Sequence, residues 1–141
     1  MGETKTRRGH CLCGAVAIEA AAVDNDMGAC HCSMCRKWVG GPLLAVECGR
    51  DVRIDGDANV SVFPSSDWAE RGFCSRCGTH LFYRLKESGE YMIPPGLFDD
   101  GDDWVFKHQI FIDEKPPYYA FANETRDLTA AEVFAQYAPP T

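Results

Sequence analysis

The chain has 141 residues, 45% of them hydrophobic and 25% charged, with a formal net charge of −7. Such a length and apolar content suit a single domain over 1–141 that builds its own core. The acidic balance repels phosphate backbones and argues against nucleic acid as a partner, and no stretch reaches the roughly 20 apolar residues of a membrane helix.

The segment from Met1 to His10 is polar and basic and lacks the apolar run of a signal peptide, so residues 1–8 read as a flexible tail. The expected compartment is the cytoplasm, where thiols stay reduced and clustered cysteines signal metal or catalysis. From there on, short apolar or alternating segments separated by Gly, Pro, Asp and Asn predict a mainly β fold of antiparallel sheets. Strands are predicted over 15–20, 29–32, 43–47, 52–54, 60–63, 68–73, 79–85, 91–94 and 104–112. Ser33 is predicted to cap a short helical turn over 34–38. Thr129-Ala130-Ala131-Glu132 is a capping box opening a short C-terminal helix through Tyr137, which would pack on the sheet through Val133, Phe134 and Tyr137.

Three cysteine blocks carry the chemistry. In Cys11-Leu12-Cys13-Gly14, an extended backbone would turn both sulfurs to one side and Leu12 to the other. In Cys74-Ser75-Arg76-Cys77-Gly78, the two-residue spacer and following glycine form a knuckle that brings two thiolates to one ion. Together they supply four thiolates, the closed tetrahedral set of a structural zinc site, clipping the N-terminal part to a segment about sixty residues on. Two disulfides are the alternative, disfavoured by strain within Cys-x-Cys and by a reducing compartment.

The middle block is Cys30-His31-Cys32-Ser33-Met34-Cys35. Three thiolates within six residues address one metal and leave a fourth tetrahedral position for an exchangeable ligand. His31 falls on the opposite face of the strand, and Cys48 reads as a small buried hydrophobe. His10, His80 and His108 are other candidate donors, each with a hydrogen-bonded structural role as the plainer alternative. An all-thiolate site suits a soft fourth ligand, above all the sulfur of a substrate thiol, which would be held as the nucleophilic thiolate.

With these blocks in view, the chain resembles the glutathione-dependent formaldehyde-activating enzyme family, which also includes centromere protein V. The resemblance rests on Gly9-His10-Cys11-Leu12-Cys13-Gly14-Ala15-Val16, on Cys30 to Lys37, on Ser65-Ser66, on Arg71 to Thr79, and on Gly96-Leu97-Phe98-Asp99-Asp100. It implies a β-tent-like fold stapled by zinc, with two zinc ions per chain. One would be structural, on Cys11, Cys13, Cys74 and Cys77, and the second would sit on Cys30, Cys32 and Cys35 as the reacting site. It also implies a carbon–sulfur lyase that forms or cleaves S-(hydroxymethyl)glutathione, with glutathione and formaldehyde as partners. Glutathione carries two carboxylates, so Arg36, Lys37 and Arg71 are candidate substrate contacts, each with a solvated surface charge as the alternative. A non-catalytic zinc-stapled binding module and a redox sensor working through the Cys30-Cys32-Cys35 cluster are the competing functions.

Overall fold

A computed structural model of the chain describes residues 4–101 and 103–137. Its strands are β1 (Lys5–His10), β2 (Ala17–Val23), β3 (Asp26–Cys30), β4 (Leu43–Gly49), β5 (Val52–Asp55), β6 (Val60–Phe63), β7 (Ala69–Cys74), β8 (His80–Leu85), β9 (Tyr91–Ile93), β10 (Val105–Ile110) and β11 (Arg126–Leu128). Two α-helices accompany them, α1 (Ser33–Val39) and α2 (Ala130–Tyr137). A three-stranded sheet has the order β1-β2-β5, and an eight-stranded sheet runs β11-β10-β3-β4-β9-β8-β7-β6.

The fold is therefore mainly β with a short C-terminal helix. Most neighbours are antiparallel, but β10 pairs in parallel with both β3 and β11, so the larger sheet is mixed. The core lies where β2, β4, β8 and β9 turn their inward parity together: Ile18, Ala20, Val46, Leu81 and Ile93 are all buried. The alternation along β2 shows why it is a strand, with Ile18 and Ala20 inward and Glu19 between them.

The predicted tail over 1–8 is corrected from Lys5 onward, residues 1–3 lying outside the described residues. Residues from Lys5 onward form β1, which pairs with β2 through Arg7↔Ala20 and Gly9↔Ile18. Arg7 points inward and is only 1% exposed. Its guanidinium forks onto Asp103 at 2.7 and 3.1 Å, reaches the Asp100 carbonyl, and lies 4.1 Å over the Trp104 ring. A buried cation is tolerable only with such a partner.

That pair makes stability pH-dependent. Hydrogen bonds from Arg7, joined by Lys5, hold the Asp103 carboxyl well below the usual carboxylate range. A folded-state pKa lowered in this way contributes stability above the unfolded value near 3.8, and the contribution drains away as pH falls below it. We expect Asp103→Asn to lower the melting temperature at neutral pH, with the gap to wild type beginning to narrow only as both are titrated below about pH 4. A constant gap across that range would assign the effect to packing alone.

The helices also refine the reading. The side chain that caps α1 is that of Cys32, not Ser33, its sulfur accepting from the Cys35 N–H at 3.4 Å. At α2 the capping box forms as predicted, Thr129 and Glu132 exchanging bonds of 2.8 and 3.2 Å. Val133 is buried, whereas Phe134 is half exposed and meets Phe111 edge to face at 5.6 Å; the Tyr137 side chain lies outside the described residues. Phe111, with φ at 56°, also ends β10 short of the predicted 112.

Candidate functional site

Two hairpin ends meet at the first cysteine cluster. The β1–β2 connection turns at Cys11, where the Gly14 N–H bonds the Cys11 carbonyl at 3.0 Å. The β7–β8 connection turns in the same manner, the Gly78 N–H bonding the Cys74 carbonyl at 2.8 Å. Gly14 and Gly78 take φ values of 80° and 81°, the left-handed conformation that lets each turn close behind its cysteine pair. Cys11 and Cys13 thus converge from a turn, which corrects the extended geometry expected for them.

The four sulfurs of Cys11, Cys13, Cys74 and Cys77 lie within 4.8 Å of one another. Cys11–Cys13 and Cys13–Cys74 separations are 3.6 and 3.8 Å. A tetrahedron of thiolates about 2.3 Å from a zinc ion has edges of about 3.8 Å, so the donor set fits that ion. Backbone and hydroxyl groups already support ionised sulfur: Val16 N–H donates to Cys11, and the Thr79 hydroxyl bonds Cys77 at 3.1 Å. That hydroxyl is the largest cause of the Cys77 thiol falling to about 5. Since β1 and β2 belong to one sheet and β7 and β8 to the other, this cluster joins the two sheets.

The second cluster forms where β3 runs into α1. Cys30 ends β3, Cys32 caps the helix, and Cys35 sits one turn in. Their sulfurs also lie within 4.8 Å of one another, and among the described residues no further cysteine, histidine or carboxylate joins that group. Cys35 is buried while Cys30 and Cys32 are partly exposed, so the cluster opens to one side. Hydrogen bonds from the Cys30 and Cys35 thiols pull Cys32 far down, and the same contacts push Cys30 up. Three sulfurs this close cannot all ionise unless a cation lies among them, which is what a metal site of this composition requires.

The surrounding residues hold the cluster in place. His31 is fully buried between its neighbours, bonded to the Tyr119 hydroxyl at 2.8 Å and to Gln109 Oε1 at 2.7 Å. Both ring nitrogens are engaged there, and His31 does not join the sulfur group. Arg36 Nε donates to the His31 carbonyl at 2.9 Å, and Lys37 is exposed. Arg71 is not a surface cation: it is 3% exposed, with Nη1 and Nη2 at 3.7 and 3.6 Å from Cys35 Sγ and Nε on Ser65 Oγ at 3.1 Å. Tyr119, Gln109 and Tyr83 had no mark in the sequence, because their roles arise from packing with distant strands. Arg71 did carry a signal, since it shares strand parity with buried Ala69.

The other candidate donors lie elsewhere. Cys48 is buried, its sulfur facing the Val46 carbonyl, and burial pushes its thiol up to about 12. His80 stacks on Trp38 at 4.3 Å, His10 pairs with Asp99 at 3.6 Å, and His108 pairs with Asp26 at 3.3 Å. A cleft of about 650 Å³ runs from the first cluster to the end of α1, walled by Leu12, Val39, Leu43 and Pro94 with His10 and His80 at its rim. None of the three sulfurs of the second cluster lines it, although Leu43 is the register partner of Cys30. Among the described residues no helix is long and apolar enough to cross a membrane.

Comparison with known proteins matches residues 6–114 to the family described as glutathione-dependent formaldehyde-activating enzyme. An uncharacterized lyase of Schizosaccharomyces pombe is 36% identical over 126 residues, covering 89% of this chain and 92% of that protein. The crystal structure of a Rhodobacter sphaeroides protein is similar with a TM-score of 0.58 at 27% identity, over 67% of this chain and 90% of that one.

Proposed function

Because the chain belongs to the glutathione-dependent formaldehyde-activating enzyme family, we propose that it is a zinc-dependent carbon–sulfur lyase, or a carrier of the same adduct, acting on S-(hydroxymethyl)glutathione or a related thiol–aldehyde adduct. The observation that carries this reading is the three-sulfur group of Cys30, Cys32 and Cys35, partly exposed and without a fourth protein donor among the described residues, in a chain whose other group has four sulfurs. The division of labour follows from ligand count: four protein thiolates close a site, and three leave one position for a substrate.

Zinc in the three-cysteine site would supply a soft Lewis acid that keeps a bound thiol ionised at neutral pH. The chain's own residues do the rest. Cys30, Cys32 and Cys35 present their sulfurs from a strand end and a helix cap, a rigid junction between β3 and α1. His31, pinned by Tyr119 and Gln109, anchors that junction from behind. Arg36 and Lys37 lie in the last turn of α1 and are proposed to meet the substrate carboxylates. In the forming direction the thiol sulfur adds to the aldehyde carbon, the carbonyl π pair moves to oxygen, and the proton released by the thiol ends on that oxygen. In the cleaving direction the C–S bond breaks and the same proton returns to sulfur. The reading places the reaction in the cytoplasm, where small thiols are abundant and reduced.

Metal analysis tests this. Protein purified without chelator is expected to carry two zinc ions per chain, one of them removed first by a mild chelator. A single ion that resists chelation would favour the non-catalytic zinc-stapled module.

A further inference from the structure

The sulfur of Cys35 is the one member of the triplet that meets a buried cation. Strand β7 places Arg71 opposite Tyr83 of β8, and the guanidinium carbon lies 5.0 Å from both the Trp38 and the Tyr83 ring centroids. Clamped between two aromatic faces, with Nε tied to Ser65, the guanidinium can present its outer edge in one direction only, and Cys35 Sγ lies there. No carboxylate is paired with Arg71 among the described residues, so its counter-charge is the thiolate cluster.

Charge counting shows what this does. Three thiolates around a divalent ion carry one net negative charge, and the guanidinium cancels it. Adding a fourth, anionic thiolate then leaves the assembly at one negative charge, where without Arg71 it would stand at two. In a chain of net charge −7 and at an effective dielectric near 20, one unit charge a few ångströms away changes such an equilibrium by an order of magnitude or more.

We propose that Arg71 is a positioning residue that fixes Cys35 and sets the charge of the three-cysteine site so that it accepts an anionic sulfur ligand in preference to a neutral one. This rests on the reading of the triplet as a divalent-metal site.

The test uses the full chain loaded with cobalt, titrated with glutathione and separately with imidazole, and read from the sulfur-to-cobalt and d–d bands. Arg71→Met and Arg71→Gln are expected to weaken glutathione uptake on the order of tenfold or more. Imidazole uptake should change by less than about threefold, while Arg71→Lys should fall between wild type and the neutral variants, because it keeps the charge but not the stacked, forked guanidinium. The four-cysteine cobalt site in the same molecule reports that the fold is intact. Equal losses for both ligands, or no loss for glutathione in any neutral variant, would overturn the proposal. Wild-type protein that takes up a single cobalt would overturn both it and the metal reading beneath it.

Discussion

Replacing Cys74 with serine is expected to lower the melting temperature by on the order of 10 °C or more and to release the zinc of the four-cysteine site. Cys74 is fully buried at the end of β7 and packs within the main core cluster. A hydroxyl there is both a poor ligand and a buried polar group. A structural zinc contributes of order 10 kcal/mol to folding, comparable with the whole net stability of about 5–15 kcal/mol for a domain. The loss is therefore global, because this cluster joins the hairpin ends of the two sheets. Cys13→Ser separates the two causes. Cys13 is exposed, so its replacement removes a ligand without disturbing the core and should reproduce most of the effect. Cys48→Ala, at a buried sulfur outside either cluster, should cost only the few kcal/mol or less of a small cavity and leave the zinc content unchanged. Melting curves paired with metal analysis check all three. A Cys13→Ser protein as stable as wild type would mean that no metal binds there.

Local signals were legible in the sequence, and compensated long-range ones were not. The capping box at Thr129 and Glu132 involves residues three apart, and β6 has the bounds its alternation suggests. The knuckle glycine Gly78 could be read from spacing alone, whereas the matching turn at Gly14 could not, because Cys-x-Cys spacing also fits an extended strand. By contrast, β1 looks like a solvated basic tail because the partner that makes Arg7 burial possible, Asp103, lies 96 residues away. The parallel pairing of β10 with β3 and β11 was hidden for the same reason, since alternation along one strand says nothing of its neighbour's direction. At the candidate site, the cysteines were visible as ligands, but the cap provided by Cys32 and the clamp on Arg71 depend on where α1 and β8 come to rest. Arg71 looked like a surface charge available to substrate; its strand parity with Ala69 was the clue to its burial.

The second large effect is expected from Cys30→Ser. Cys30 ends β3, is partly exposed, caps no helix and is not the partner of Arg71, so its loss should leave the fold in place. The zinc content should fall from two to one, the melting temperature should stay within a few degrees of wild type, and conversion of the thiol–aldehyde adduct should drop to the uncatalysed rate. Cys35→Ser is a less clean variant, because it also strips the buried Arg71 of its anionic partner. Unfolding of Cys30→Ser would make both clusters structural and remove the basis for chemistry at the second.

Thiol binding at that cluster can be observed directly. In the cobalt-substituted chain, titration with glutathione should intensify and shift the sulfur-to-cobalt charge-transfer bands, saturating at one thiol per chain, with no such change in Cys30→Ser. Bands unchanged by glutathione and by other small thiols in the wild-type protein would contradict the assignment of Cys30, Cys32 and Cys35 as a thiol-accepting metal site.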